Sequence, residues 1–148
     1  MIKIAFPILS LCLALIGCTP NAVTPVSTIT TNQSMSATVD GANWSASTVV
    51  GVSSSGTFAI EGTKTDGSFL EVILPATSAG PYRIDGSGSS QIIWDKDPST
   101  SFHAVSGIIH VKTFVGNVIT GDFDSVVCIG TGVNMTNITK GSFSTTMK

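Results

Sequence analysis

The chain has 148 residues, of which 42% are hydrophobic and only 11% charged, with a formal net charge of −2. Typical soluble proteins carry about 25% charged residues, so the polar surface here must come from Ser, Thr, Asn and Gly, a pattern that suits an envelope β-protein better than a cytosolic enzyme. The seven basic residues are scattered, and phosphate binding needs clustered Lys or Arg, which argues against a nucleic-acid partner.

The amino terminus reads as an export signal. Lys3 supplies a positive charge and residues 4–16 form an apolar or small stretch. A membrane-spanning helix needs about 20 apolar residues, and Pro7 would kink a helix by removing a backbone donor. Leu15-Ile16-Gly17-Cys18 resembles the lipobox of bacterial lipoproteins: an apolar residue, a small or aliphatic one, Gly or Ala, then Cys. That resemblance implies cleavage after residue 17 and acylation of Cys18 on its sulfur and its new amino terminus. One acyl chain binds a bilayer marginally, whereas two or more hold firmly. The expected partner at this end is therefore the membrane, through acyl chains on Cys18.

Residues 19–34, rich in Thr, Ser, Asn and Pro, cannot bury enough apolar surface to offset the entropy of ordering. They read as a tether, semi-extended at Pro20 and Pro25. Loss of Lys3 takes the formal net charge from −2 to −3 in the mature chain. Of three cysteines, Cys12 leaves with the signal and Cys18 is acylated, so Cys128 has no partner for an intrachain disulfide. At the end of an apolar strand it reads as a small buried hydrophobe.

From residue 35 onward, short alternating runs are punctuated by Gly, Asp and Asn, without a helical period. Residues 35–40 alternate, Asp40-Gly41 is a hairpin turn, and Trp44 opens a run reaching Val52. Phe58 and Ile60 mark the next strand. Thr65-Asp66-Gly67 turns into residues 69–74, where Leu70, Val72 and Leu74 share one face, and Pro75 ends the strand by withholding a donor. Tyr82 and Ile84 form a brief strand after Gly80-Pro81. Residues 91–94 are expected to pair at an edge, and residues 95–100 to form a loop leading to Phe102 and Ala104. Residues 108–114 and 118–128 form a hairpin around Val115-Gly116-Asn117. Period two places Ile109, Val111, Ile119, Gly121, Phe123, Ser125 and Val127 inward, with His110, Lys112, Asp122 and Asp124 outward. The last segment offers Ile138, Phe143 and Met147 as inward residues, with Gly141 at a bulge or close approach.

About eight or nine short antiparallel strands with mostly meander connections imply an all-β sandwich or flattened barrel. The domain organisation expected is a signal peptide at 1–17, a lipidated Cys and tether at 18–34, and one all-β domain at 35–148. Asp40-Gly-Ala-Asn-Trp44, Gly80-Pro-Tyr82, Gly107-Ile-Ile-His-Val111, Gly121-Asp-Phe123 and Ile138-Thr-Lys-Gly-Ser-Phe143 together resemble a family of small Bacteroidetes lipoproteins of unknown function, the DUF6252 domain. That resemblance implies an all-β lipoprotein and carries no activity. Surface-exported lipoproteins of that phylum often have an acidic run after the Cys. None is present, which favours the periplasmic face of the outer membrane over the cell exterior.

The chemistry-bearing residues are sparse. His103 and His110 are the bases available to a hydrolase triad, no Gly-x-Ser-x-Gly elbow exists, and His110 reads as solvated beside Lys112 on an outer strand face, with His103 near a strand end. Asp95, Asp97 and Ser99 alternate as calcium-loop ligands do, but Thr100 and Ser106 stand where an EF-hand loop needs Gly and Glu. Asp122 and Asp124 share a face with no nameable third ligand. No catalytic residues, metal site or cofactor are therefore expected. Trp44 and Tyr82 read as core plugs, whereas Trp94, beside a charged loop, is the aromatic expected at a ligand-binding surface. Asp124-Ser125-Val126 matches a loose acceptor pattern for O-glycosylation, although inward parity would hide Ser125. The leading expectation is a binding or interaction module for an envelope component or protein. A small-ligand or glycan binder is the alternative, and an enzyme the third reading.

Overall fold

The computed structural model describes residues 32–75 and 78–148. The expected signal peptide, the acylated Cys18 and most of the tether lie outside the described residues.

Alternation in the sequence becomes a curled antiparallel sheet. Its strands are β1 (Ser34–Val39), β2 (Ala42–Ser45), β3 (Thr48–Ser54), β4 (Thr57–Thr63), β5 (Phe69–Pro75), β6 (Gly80–Ile84), β7 (Gln91–Asp97), β8 (Thr100–Val115), β9 (Val118–Gly130) and β10 (Met135–Thr146). They are ordered β2-β1-β10-β9-β8-β7-β5-β4-β3, and β6 pairs with the middle of β8, from Gly107 to Val111. The all-β, mainly meander architecture matches the sequence reading. Among the described residues, helical structure is confined to a 3-10 turn at Thr131–Val133, and no helix is long and apolar enough to cross a membrane.

Turn chemistry fixes the first hairpin as expected. Asp40 and Gly41 both take positive φ, 48° and 82°, the geometry whose twist matches two antiparallel strands. The apolar run that follows is not one strand. It breaks at Ala46-Ser47, so β2 stays on β1 while β3 pairs with β4 at the far end of the sheet order. This break adds a strand, while Phe102 and Ala104 join residues 108–114 in the single long β8, which leaves ten strands. It also brings the edges together: Ala46 N–H donates to the Met35 carbonyl and Ser47 N–H to that of Thr63. The carboxyl terminus stitches the other end, where Lys148 N–H donates to the Gly51 carbonyl at 3.0 Å and Ser53 N–H to that of Lys148 at 3.1 Å. The result is a half-barrel held at its seam by short lengths of chain.

Two other expectations are corrected. Residues 91–94 lie in β7, which pairs with β5 on one side and β8 on the other, so they occupy the middle of the sheet. Residues 95–100 are mostly strand, with Pro98 and Ser99 alone making the turn.

The core lies within the curl, and its parity switches along the strands. Leu70, Val72 and Leu74 are buried as read, as are Ile109, Val111, Ile138, Phe143 and Met147. On β9, Ile119 and Phe123 point inward, but so do Val126 and Cys128, whereas Ser125 is exposed and Val127 half-buried. Ser125 takes φ 55° and Lys140 on β10 takes φ 51°, and each ends one run of parity and begins the next. Asp124 supports both positions, its Oδ1 accepting from Ser125 N–H at 2.9 Å and Lys140 N–H at 3.1 Å. Register shifts between Ala104 and Ile108 make the corresponding switch on β8.

Candidate functional site

Strand direction gives the half-barrel two distinct ends. The β1–β2, β4–β5, β7–β8 and β9–β10 connections gather at one, and the β3–β4 and β8–β9 turns at the other. Ser34, where the chain arrives from the amino terminus, pairs with Ser144 at this second end.

A cleft of about 760 Å³ opens at the first end, between those four connections. Trp44 from β2 and Trp94 from β7 form its floor, with ring centroids 5.6 Å apart at 87°. This edge-to-face packing suits two indole quadrupoles. Trp94 is only 6% exposed, which corrects its expected place on a solvent-facing surface, and Trp44 is 4% exposed, as expected of a core plug. The cleft therefore meets the two indoles without presenting an open stacking platform.

A hydrogen-bonded chain runs from this floor to the rim. Trp44 Nε1 donates to Ser68 Oγ at 2.8 Å, Ser68 Oγ donates to Asp66 Oδ1 at 2.6 Å, and Asp66 Oδ2 pairs with Lys64 Nζ at 2.8 Å. Hydrogen bonding from Lys64, then from Ser68, holds the Asp66 carboxyl well below the usual carboxylate range. The buried indole N–H is thereby satisfied, and Lys64 is held over the opening. Across the cleft, Asp97 Oδ1 accepts from Ser99 N–H and Oγ, which fixes the β7–β8 turn and lowers the Asp97 pKa. Lys96, Asn43, Asn134 and Met135 complete the rim, and Met135 is 63% exposed. Sequence reading missed this assembly because its members are spread from residue 39 to residue 136. The one local signal was Thr65-Asp66-Gly67, which the sequence presents as an ordinary turn.

The remaining candidates do not converge. His103 and His110 are both exposed on the outer face of β8, opposite Ile129 and Asp122 respectively. Asp122 pairs with Lys112 rather than orienting an imidazole. Among the described residues, no cluster of His, Cys, Asp and Glu has the geometry to hold a metal ion. Ser125 faces solvent, which removes the burial expected to shield it from modification. Cys128 is buried, and desolvation, reinforced by the charge of Asp40, pushes its thiol up to about 12. Tyr82 is half-buried against the core, with its hydroxyl donating to the Ser78 carbonyl at 2.5 Å and accepting from Ser78 N–H at 3.1 Å.

Fold and cleft together define an all-β half-barrel with a polar-rimmed opening at the end opposite Ser34. The chain belongs to the DUF6252 family, a domain of unknown function whose family model matches residues 31–146. No curated protein and no solved structure matches it.

Proposed function

We propose that this protein is a lipid-anchored binding module of the cell envelope, held by acyl chains on Cys18 and engaging its partner through the cleft over Trp44 and Trp94. The observation that carries this reading is axial. The chain from Cys18 enters at Ser34, at the end of the half-barrel opposite the cleft. Ser34 lies sixteen positions after Cys18. A stretch of that length reaches at most about 55 Å fully extended, enough to hold the cleft clear of a bilayer surface. The expected membrane is the outer membrane, at its periplasmic face.

A protein or other envelope component is the favoured occupant. The cleft combines an exposed apolar side chain, Met135, with charges of both signs, Lys64, Lys96, Asp66 and Asp97, as the boundary between the core and rim of an interface does. A small polar ligand or glycan is the second reading, supported by the cleft volume of about 760 Å³. Such volumes are ordinary for ligand sites, about 300–1,000 Å³. Burial of both indoles counts against sugar stacking and leaves recognition to the rim.

The test uses the intact protein, captured from detergent-solubilised membranes, with proteins and glycans identified by mass spectrometry. A Lys96→Glu, Met135→Asp variant should lose the specific partner while remaining membrane-bound. Retention of the same partner by this variant would reject the cleft as the binding site. Cys18→Ala tests the anchor separately: it should move the protein to the soluble fraction, and continued partitioning with membranes would reject acylation at that residue.

A further inference from the structure

We infer that a second site lies on the outer face of β6, β8, β9 and β10, and that it takes a polyhydroxylated ligand bearing a carboxylate or phosphate group, such as an acidic saccharide. Two hollows, of about 420 and 800 Å³, share His110 and Asp124 and so form one groove. Strand register sets its floor. Pro81, His110, Asp122 and Ser142 form one row across the four strands, and Arg83, Ile108 and Asp124 form the next, ending beside Lys140. All of these side chains belong to the outward face, and Ile108 is 43% exposed.

Charge is distributed there in a way that matches such a ligand. Arg83, Lys112 and Lys140 bring together half of the six basic residues beyond Lys3, from three strands widely separated in sequence. Among the described residues the ion pairs are Lys64–Asp66 and Lys112–Asp122, so Arg83 and Lys140 reach the groove outside any direct ion pair, Arg83 having only the longer-range attraction of exposed Asp85. An anionic group between them gains charge-assisted hydrogen bonds, in bidentate form from the guanidinium. The two carboxylates oppose a bare anion less than their charges suggest. Lys112 neutralises Asp122, and Asp124 accepts backbone N–H groups from Ser125 and Lys140. Their remaining lone pairs accept from hydroxyl groups, which a polyol supplies in number while its anionic group stays beside the basic side chains. Exposed Ile108 lies between Arg83 and Asp124, where it can meet the apolar C–H face of a sugar ring.

The groove is also held in shape. Asp124 fixes the paired bulges at Ser125 and Lys140, at positive φ of 55° and 51°, and these set the wall from which Lys140 projects. Backbone conformations of this sort cost energy and persist where surrounding contacts over-determine them.

The test is isothermal titration of the full chain in neutral detergent micelles with three soluble probes: a galacturonic acid trimer, a neutral glucose trimer and inorganic phosphate. A headgroup source is examined with the Cys18→Ala chain, free of detergent, against phosphatidylcholine vesicles with or without phosphatidylinositol. The acidic trimer, or the inositol-containing vesicle, should bind, and Arg83→Gln or Lys140→Gln should weaken that binding roughly tenfold each, as loss of a charged hydrogen bond implies. Binding of the trimer identifies a soluble saccharide as the source and binding of the vesicle alone a lipid headgroup. Either result sustains the shared chemistry. Equal binding of the neutral trimer, equally tight binding of phosphate alone, indifference to both substitutions, or no binding by any probe would overturn it. The Lys96→Glu, Met135→Asp variant should bind these probes as the parent does, which keeps the groove separable from the end cleft.

Discussion

Substituting Gly141 by Ala should destabilise the domain by an amount set by one aromatic ring. Gly141 on β10 is paired with Phe123 on β9, and a Cβ added there would lie 2.0 Å from Phe123 Cε2 and 2.2 Å from Cδ2 and Cζ. Ordinary contact begins at 3.4 Å, so the ring must retreat by more than 1 Å in a core where Phe123 is 1% exposed. Overpacking of this kind costs about 1–3 kcal/mol. At about 4 °C per kcal/mol for a domain of this size, the melting temperature should fall by roughly 4–12 °C. Urea unfolding followed by tryptophan fluorescence should show a lower midpoint at an unchanged slope. The decisive comparison is a double-mutant cycle. Phe123→Ala alone should cost about 3–5 kcal/mol, but in that background Gly141→Ala should cost almost nothing, because the ring it collides with is gone. Gly121 beneath Phe143 should differ: a Cβ there would lie 2.3 Å from Phe143 Cζ but also 2.4 Å from the His110 carbonyl oxygen, so Gly121→Ala should stay costly even in a Phe143→Ala background. If Gly141→Ala melts with the parent, or costs the same whether or not Phe123 is present, the stacking of ring over glycine is wrong, and with it the register of β9 against β10.

Glu71 faces Glu61 directly across β4 and β5, and burial, then the charges of Glu61 and Asp95, raise its pKa above the ordinary 4.5. A carboxyl whose folded pKa is raised contributes stability that is complete below the unfolded value and is lost as pH rises through the folded value. Glu71→Gln should therefore raise the melting temperature at neutral pH and flatten its decline above pH 4.5. The gain should stay below about 1 kcal/mol, since solvent screens a partly exposed group, and a lower melting temperature at neutral pH would contradict the electrostatic account. Deleting Met147 and Lys148 removes the backbone bonds that tie β3 and the β8–β9 turn to the carboxyl terminus. Hydrogen exchange at the Ser53 amide should then lose protection, and unchanged protection there would show that the seam closes by other means. Cys128, with its thiol pushed up to about 12, should resist iodoacetamide at neutral pH until urea unfolds the chain, and rapid labelling of the native protein would mean that the β9 register is shifted.

Much of this architecture is local and could be read from the order of residues. Asp40-Gly41 adopts the turn its side chains favour, Leu70, Val72 and Leu74 line one face because successive strand residues alternate, and Gly141 marks the close approach its lack of a Cβ allows. Parity could be read only as far as the first bulge. Ser125 and Lys140 hold positive φ without being glycine, because Asp124 accepts both of their backbone N–H groups, and one of those bonds spans 16 residues of sequence. Nothing in a window around Val127 reveals that contact, so strict period two turns Val127 inward and leaves Val126 outside, whereas Cys128 reads as buried from its residue type alone.

The end cleft and the outer groove depend on tertiary structure throughout. Trp94 sits next to charged residues in sequence, yet β7 runs through the middle of the sheet and closes Trp44 over it. Arg83, Lys112 and Lys140 are scattered along the chain, yet antiparallel register sets them on one face. Amino-acid order by itself determined the strand-and-turn alphabet and the identity of most core residues, since these follow from composition and spacing over a few residues. Tertiary structure decided which strands became neighbours, where the bulges reversed the faces and which distant side chains came to share a site, because each of those outcomes is fixed by hydrogen bonds and packing between segments remote in the chain.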